Sequence, residues 1–313
     1  MSDCPIVFDH LRKEFRNFVA VDDLCLNIRR NSFTGLLGPN GAGKSTSLKI
    51  ATNLTSPTSG HVYLNDIDVT AHPKRALDGV GTVVETPEFY TYLTPIETFE
   101  YIGGLLGMSR ESISNETTEI LDKVKMGDWA DKRICTFSKG MRQRVALGLA
   151  LMDSPNVIIL DEPTSGLDPR GVVEVRDILK NIRDGNRDLT ILMSSHMMHE
   201  VSDLCDRIAI VNNGRLIVED DFDSLLKDAD TRVLMVRPLD EPDGHMVDEI
   251  ASLPNVVSAE IDGNSIDVRF KGDMDLVAAF YQQVADLDFP VCGMSESHNA
   301  LENRYLELIK ESR

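Results

Sequence analysis

The chain has 313 residues, of which 42% are hydrophobic, and this is enough apolar surface for one large domain and a smaller one. Its formal net charge of −19 argues against general nucleic-acid binding, because neutralising phosphates requires a basic face, and against an electrostatic hold on anionic lipid. The sequence has no run of about 18 apolar residues, and its start lacks the pattern of a secretory signal, so we expect neither a membrane span nor secretion.

The five cysteines lie far apart in the sequence, and no two of them form a C-x-x-C pair. They are Cys4, Cys25, Cys135, Cys205 and Cys292. This spacing predicts reduced packing residues of a cytosolic protein rather than a disulfide or zinc framework.

Residues 6–37 alternate apolar and polar side chains in several β-rich runs. The alternation predicts an antiparallel sheet that leads into the loop that follows. Within this stretch, Phe15 offers an aromatic ring that could stack on a planar ligand. The alternative is an ordinary strand residue that faces the core.

A glycine-rich loop lies between a predicted buried strand at residues 32–37 and a predicted helix at residues 46–53. It fits the pattern G-x-x-x-x-G-K-[ST] and consists of Gly38, Pro39, Asn40, Gly41, Ala42, Gly43, Lys44, Ser45 and Thr46. Its backbone N–H groups can wrap phosphate oxygens, its lysine can reach the β- and γ-phosphates, and Ser45 can ligate Mg²⁺. The alternative, a chance glycine-rich turn, is disfavoured by the flanking strand and helix. We therefore predict that the chain binds a nucleoside triphosphate, and Phe15 is the candidate ring for stacking on an adenine base.

After this loop, the sequence predicts further strands first and a helical stretch after them. A turn at residues 56–60 precedes a hairpin-like segment at residues 61–69, and residues 80–84 form another buried strand that ends at Glu85. Residues 96–126 carry apolar side chains at helical spacing, which predicts a mostly helical insertion.

Ser138 precedes a further run of helical character, and Gly140 lies in its first turn. Serine is a favourable N-cap, and the glycine leaves backbone N–H groups open at the positive end of the helix. These features predict a second anion site in the same chain. The alternative is a serine that only caps its helix.

Polar residues follow two more predicted strands. Residues 157–160 are all apolar, as in a central parallel strand, and Asp161 and Glu162 come directly after them. Since ligands bind at the carboxyl ends of such strands, we expect Asp161 to orient Mg²⁺ and Glu162 to polarise an attacking water. A strand at residues 189–193 leads to His196, which we predict to sense the γ-phosphate; the alternative is a satisfied structural histidine.

Residues 221–313 form a second, acidic region. A linking helix at 221–230 precedes strand 232–236, helix 245–253, strands 256–261 and 265–270, helix 274–285 and strand 289–293, and a terminal helix follows at 300–309. This βαββαβ order is that of a ferredoxin-like plait. The region shows no catalytic constellation, so a regulatory, dimer-supporting or ligand-sensing tail and a purely stabilising domain stay open as alternatives.

Taken together, these motifs resemble those of the ATP-binding subunits of ABC transporters, over about residues 5–220. Residues 38–46 are similar to the Walker A loop, 138–144 to the ABC signature, 157–162 to Walker B, 165–168 (ending at Asp168) to the D-loop, and His196 to the switch histidine. The resemblance implies an α/β P-loop NTPase domain at residues 1–220. Its parts would be a RecA-like core, an antiparallel β-subdomain and a helical subdomain at about residues 86–155. Residues 221–313 would form an α+β ferredoxin-like accessory domain.

The resemblance also implies an ATPase that works as a homodimer. Its two copies would face head to tail, so that each ATP lies between one Walker A loop and the Ser138 and Gly140 of the other copy. The partners implied are a separate transmembrane permease at the cytoplasmic face of the membrane and no nucleic acid. The cargo is not encoded, because membrane subunits select it.

Two departures from the family pattern concern Glu85 and Lys139. Most members have Gln where this chain has Glu85, and the surrounding residues resemble the branch of drug, bacitracin and lantibiotic exporters. Glu85 would still reach Mg²⁺ or the water network, but its charge beside the triphosphate requires compensation by Mg²⁺ or a basic residue. Lys139 replaces a glycine of the signature, and we expect hydrolysis to survive both changes.

Two other classes of protein remain as alternatives. A soluble ABC ATPase without a permease would act on DNA, on ribosomes or in Fe–S assembly. Such proteins usually carry two cassettes or long coiled coils, and neither occurs in this sequence. A P-loop kinase would have no use for residues 138–144, Asp168 and His196.

Overall fold

A computed structural model describes residues 3–185, 188–222 and 232–296, together with Tyr305 and Ile309. The chain divides into two compact units, Met1–Asp221 and Phe222–Arg313. Among the helices of these described residues, none has both the length and the apolar character that crossing a membrane requires.

The first unit combines strands and helices. Its strands are β1 (Ile6–Phe15), β2 (Phe18–Ile28), β3 (Phe33–Leu37), β4 (Ser59–Leu64), β5 (Ile67–Asp68), β6 (Val80–Val83), β7 (Val157–Asp161), β8 (Thr190–Ser195), β9 (Arg207–Asn212) and β10 (Arg215–Asp221). Its helices are α1 (Lys44–Ala51), α2 (Pro73–Ala76), α3 (Pro95–Leu106), α4 (Arg110–Lys123), α5 (Lys139–Ala150), α6 (Pro169–Gly185) and α7 (Met198–Leu204).

The larger sheet of this unit has the strand order β10-β9-β3-β8-β7-β6. Strands β6, β7, β8, β3 and β9 run parallel, and β10 pairs antiparallel with β9. Every residue of β3, β8 and β9 is buried, as expected for parallel strands covered on both faces. The register places Leu37 opposite Ser195 and Asp161 opposite Ser194, so the ends of three strands meet at one edge.

A second sheet has the order β2-β1-β4-β5, with all pairs antiparallel. The antiparallel sheet predicted for residues 6–37 is therefore correct for β1 and β2 but wrong for β3, which pairs in parallel with β8 and β9. The reason is burial: β1 and β2 have exposed positions, whereas β3 is buried throughout and needs neighbours on both faces.

Helices α3, α4 and α5 lie in the chain between β6 and β7, which confirms the predicted helical insertion. Each begins at a capping hydroxyl: Thr94 forms a capping box with Glu97, Ser109 accepts from Ser112 N, and Ser138 accepts from Met141 N. Strand β6 packs closely on the end of α5, because a side chain on Gly81 would overlap the carbonyl of Ala150.

The second unit contains β11 (Arg232–Pro238), α8 (Gly244–Ala251), β12 (Val256–Asp262), β13 (Ser265–Phe270), α9 (Met274–Ala285) and β14 (Val291–Glu296). Its antiparallel sheet has the order β12-β13-β11-β14, which is the ferredoxin-like arrangement predicted from the sequence. The core between sheet and helices includes Leu234, Val268, Phe270 and Phe280.

Three predicted elements of this region need comment. The last strand begins at Val291 rather than at residue 289, because Phe289 packs into the core before the strand starts. The predicted linking helix overlaps β10 at Asp221, and beyond Phe222 it lies outside the described residues. The predicted terminal helix also lies outside them, apart from Tyr305 and Ile309.

Candidate functional site

The loop at residues 38–46 joins β3 to α1 and has the backbone of an anion cradle. Gly41 and Gly43 adopt φ angles of +84° and +99°, in the left-handed region that favours glycine. A side chain on Gly43 would overlap the carbonyl oxygen of Ala20. No side chain caps the start of α1, so its first N–H groups are open to an anion.

Lys44 is held inside this loop with only 5% of its surface exposed. Its Nζ donates to the carbonyl oxygens of Gly38 at 2.7 Å and Pro39 at 3.2 Å. Burial lowers the pKa of Lys44, and the negative charge of Glu162, whose Oε1 lies 3.7 Å from Nζ, acts in the opposite direction. The cradle therefore contains one cation, and a carboxylate lies beside it.

Asp161 ends β7 and is bound by two hydroxyl groups. Ser45 Oγ donates to Asp161 Oδ1 at 2.9 Å, and Ser194 Oγ donates to the same oxygen at 2.6 Å. The structure thus brings Ser45 and Asp161 into contact, which are two of the three residues predicted to hold Mg²⁺; the third, Glu85, pairs with Lys49 instead. Ser194 was missed, because its contact depends on β8 lying next to β7 in a register that the sequence does not reveal.

Glu162 lies between a cation and a histidine. Its φ angle is +45°, an uncommon value for a residue with a side chain, and its N–H donates to Ser194 Oγ at 2.9 Å. His196 Nδ1 lies 3.2 Å from Glu162 Oε2, while Lys44 lies near the other carboxylate oxygen. The predicted Glu162 and His196 therefore lie in direct contact.

Glu85 follows β6 with a φ angle of +69° and forms an ion pair with Lys49 in the last turn of α1. Lys49 is thus the basic residue that the charge of Glu85 requires, and it was not predicted from the sequence. A signal was present, because Lys49 lies four residues after Ser45 and so on the same helix face.

A cavity of about 250 Å³ lies at this edge of the sheet. Its lining is made of Ser45, Glu85, Thr86, Pro87, Lys139, Gln143, Asp161, Glu162 and Ser165. Polar and charged groups dominate this lining, as a site for a phosphorylated ligand and a metal ion requires.

The predicted second anion site lies at the start of α5. Ser138 accepts a hydrogen bond from the N–H of Met141 at 3.2 Å, so it is the N-cap that was predicted. A side chain on Gly140 would have its nearest neighbour at 3.7 Å, so packing within the chain does not require glycine there. Lys139 is exposed, and its Nζ donates to the carbonyl oxygen of Ser165 at 2.8 Å.

Phe15 and Asp168 do not line this cavity. The ring of Phe15 is 48% exposed and lies 4.8 Å from Lys13 Nζ, so the alternative of a core-facing phenylalanine is wrong. Asp168 Oδ1 accepts from the N–H of Gly171 at 3.2 Å, at the start of α6.

Glu200 is a buried carboxylate that the sequence did not single out; only 2% of its surface is exposed. Ser195 Oγ donates to its Oε2 at 2.7 Å, and Thr164 Oγ1 donates to its other oxygen. These bonds connect the end of β8 and the start of α7 to the segment that follows Glu162. They fix the backbone on both sides of His196.

Comparison with known proteins gives consistent results. Residues 21–165 match the family model described as ABC transporter. The chain is 30% identical over 306 residues to the uncharacterized ABC transporter ATP-binding protein YhcH of Bacillus subtilis, covering 97% of this chain and 95% of the relative. It is 35% identical over 214 residues to the lantibiotic transport ATP-binding protein SrtF of Streptococcus pyogenes, covering 68% and 90%.

A further relative is the bacitracin transport ATP-binding protein BcrA of Bacillus licheniformis, which is 35% identical over 217 residues, or 69% of this chain and 70% of the relative. Among solved structures, a dimeric ATP-binding cassette in a post-hydrolysis state with ADP and Pi superposes with a TM-score of 0.61. It is 26% identical, and the match covers 69% of this chain and 98% of that one.

Proposed function

Because the chain belongs to the family of ABC transporter ATP-binding proteins, and is an ATPase of that family, we propose that its site hydrolyses ATP as one half of a homodimer. In this proposal the dimer drives a separate transmembrane permease from the cytoplasmic face of the membrane and exports a drug or an antimicrobial peptide. The proposal rests mainly on one observation, which is the carboxylate of Glu162 held between Lys44 and His196.

Hydrolysis adds water to the γ-phosphorus and breaks its bond to the oxygen that bridges the β- and γ-phosphates. Glu162 is the group that accepts the proton of the attacking water, and its neighbour His196 contacts the γ-phosphate. Lys44 leaves its carbonyl partners for the phosphate oxygens when ATP enters the loop. The proton and the phosphate leave together with ADP as products.

Mg²⁺ fits the oxygen atoms beside this carboxylate. Ser45 Oγ and Asp161 Oδ1 lie 2.9 Å apart, and Mg²⁺ usually combines one or two protein oxygens with phosphate oxygens and water. We assign Ser45 and Asp161 as the residues that hold the ion, with Glu85 in the same water network. The bound ion would neutralise charge on the β- and γ-phosphate oxygens.

The homodimer gives a purpose to the second anion site. Helix α1 begins within the loop at residues 38–46, and α5 begins directly after Ser138. Among the described contacts, Ser138 and Gly140 form no hydrogen bond or ion pair with residues 38–46. The open space at Gly140 suits a ligand that another copy brings to it. Each ATP would then lie between the loop of one copy and the α5 N-terminus of its partner.

An exposed aromatic surface, part of which follows Glu85 closely in the chain, supports the permease contact. Tyr90, Tyr92 and Tyr101 are 54%, 65% and 45% exposed, and the ring of Tyr90 lies within 6 Å of both others, at 5.8 Å and 5.7 Å. Exposed tyrosines are enriched in protein interfaces, where an apolar ring with a polar hydroxyl group is useful. We assign this surface to cytoplasmic helices of the permease, where Glu85 could report the state of the nucleotide.

The soluble class of ABC ATPase is the weaker candidate, because the matched relatives are named as transport or transporter proteins. The export of drugs or antimicrobial peptides rests on the names of SrtF and BcrA and on the resemblance around Glu85.

The test is the variant Glu162→Gln, which keeps the shape of the side chain and removes its capacity to take a proton. We expect ATP binding to be retained, turnover to fall to a small fraction of wild type, and an ATP-bound dimer to accumulate in size-exclusion chromatography. Glu119→Gln, an exposed change on α4, is the matched control and keeps wild-type activity. Unchanged steady-state turnover in Glu162→Gln would refute the role of Glu162.

A further inference from the structure

Three side chains of different chemistry meet on the outer face of the antiparallel sheet, and none of them lines the cavity of the ATP site. His10 Nδ1 lies 2.7 Å from Asp23 Oδ1 and 3.5 Å from Cys25 Sγ. The three donor atoms all lie within 4.8 Å of one another. One imidazole nitrogen, one carboxylate oxygen and one sulfur are the three donor types that proteins offer to Zn²⁺.

The backbone of two strands is irregular where it presents these groups. On β2, Leu24 and Leu26 are buried, so Asp23 and Cys25 alternate to the outer face. On β1 the pairing shifts between Phe8 and Leu11, and His10 lies within that shift.

Both His10 and Asp23 adopt left-handed backbone angles, with φ of +47° and +59°. Such angles are unfavourable for a residue with a side chain, although histidine and aspartate adopt them more often than most residues. The neighbouring strand accommodates the distortion, because a side chain on Gly60 would overlap the carbonyl group of His10. The fold therefore maintains a costly local geometry that directs the two side chains toward one point.

The spacing can be compared with a tetrahedral zinc site. Zinc bonds of about 2.0 Å to nitrogen and oxygen and about 2.3 Å to sulfur place nitrogen and oxygen about 3.3 Å apart, and nitrogen and sulfur about 3.5 Å apart. The separation of His10 Nδ1 and Cys25 Sγ already has this value. The histidine and aspartate would have to separate by only about half an ångström, as their direct hydrogen bond is replaced by two bonds to the metal.

We propose that His10, Asp23 and Cys25 bind one Zn²⁺ ion, with a water molecule in the fourth position. The side chains of His10 and Asp23 are 72% and 64% exposed, which allows a hydrated ion to enter and leave. This is an exchangeable site that joins β1 to β2, and it differs from closed structural zinc sites with four protein ligands. The cysteine spacing in the sequence gave no sign of it, because the ligands come from two strands paired by the fold.

The test uses the full-length chain, freed of metal by a chelator and kept reduced without added thiols. Zn²⁺ is titrated in competition with a chromophoric chelator, and Co²⁺ is used in parallel as a spectroscopic probe. We expect one tight equivalent of Zn²⁺ per chain and, with Co²⁺, a thiolate-to-metal charge-transfer band together with intense visible bands of a tetrahedral site.

Two variants remove one ligand each with little change in shape. Cys25→Ser should remove the charge-transfer band, and His10→Asn keeps a residue that tolerates the left-handed backbone while losing the imidazole. Both should weaken Zn²⁺ binding at least tenfold. Cys135→Ser, which alters another exposed cysteine, should bind like the wild type. The proposal is overturned if the wild-type chain binds no stoichiometric Zn²⁺, which would leave only a surface ion pair, or if both ligand variants bind as tightly as the wild type.

Discussion

The hydroxyl group of Ser194 offers a sharp test of how the site is held. Ser194 is fully buried, and its Oγ both donates to Asp161 Oδ1 at 2.6 Å and accepts from the N–H of Glu162 at 2.9 Å. Ser194→Ala removes both bonds and changes little else. A hydrogen bond to a charged group contributes about 1.5–3 kcal/mol. If this loss is expressed in the transition state, it lowers kcat roughly tenfold to a hundredfold.

The assay is steady-state ATP hydrolysis at varied Mg·ATP, together with thermal unfolding. Ser32→Ala is the matched control, because it removes another largely buried serine hydroxyl, which donates to the carbonyl oxygen of Arg29 at 2.7 Å far from the cavity lining. We expect both variants to lose some stability and only Ser194→Ala to lose kcat. Wild-type kcat in Ser194→Ala, or an equal loss in both variants, would show that the two bonds of Ser194 do not support catalysis.

Three further predictions concern groups around the same site. Lys49→Met leaves the charge of Glu85 uncompensated, so we expect kcat to fall about two- to fivefold, which is the range for a solvent-exposed ion pair. The fall should vanish in a Glu85→Gln background when kcat is measured for the wild type, both single variants and the double variant; an equal fall in both backgrounds would contradict the pairing. Gly140→Ala should unfold at or slightly above the wild-type temperature, because the space is open, yet lose ATP-dependent dimerisation in size-exclusion chromatography; normal dimerisation would count against the shared site. Lys44→Ala should abolish tight ATP binding in equilibrium titration, and an unaltered affinity would show that the loop at residues 38–46 does not bind ATP.

The sequence was most informative where the residues of one segment determine its local structure. The all-apolar run before Asp161 predicted a central strand, because only a sheet covered on both faces accepts such a run. The glycines at 41 and 43 predicted the loop, because the left-handed backbone there favours a residue without a side chain. The alternation of strand and helix in the second unit predicted its ferredoxin-like sheet order.

Contacts between distant segments could not be read in the same way. The bonds of Ser194 to Asp161 and of Lys139 to Ser165 depend on strand order and on the direction of side chains in loops. Phe15 shows the same limit, since alternation on a strand left both exposure and burial open, and the fold exposes it. Lys49 was the one missed partner with a local signal, through its helical spacing from Ser45.

Purification of the tagged chain from gently solubilised native membranes tests directly whether this ATPase works on a membrane permease. We predict that it is recovered with a polytopic membrane protein, and that this association weakens when Tyr90 and Tyr92 are both changed to Ser. The partner would then also identify the subunit that selects the cargo. Recovery only in the soluble fraction, alone or with ribosomes or DNA, would leave the ATPase assignment standing and contradict export.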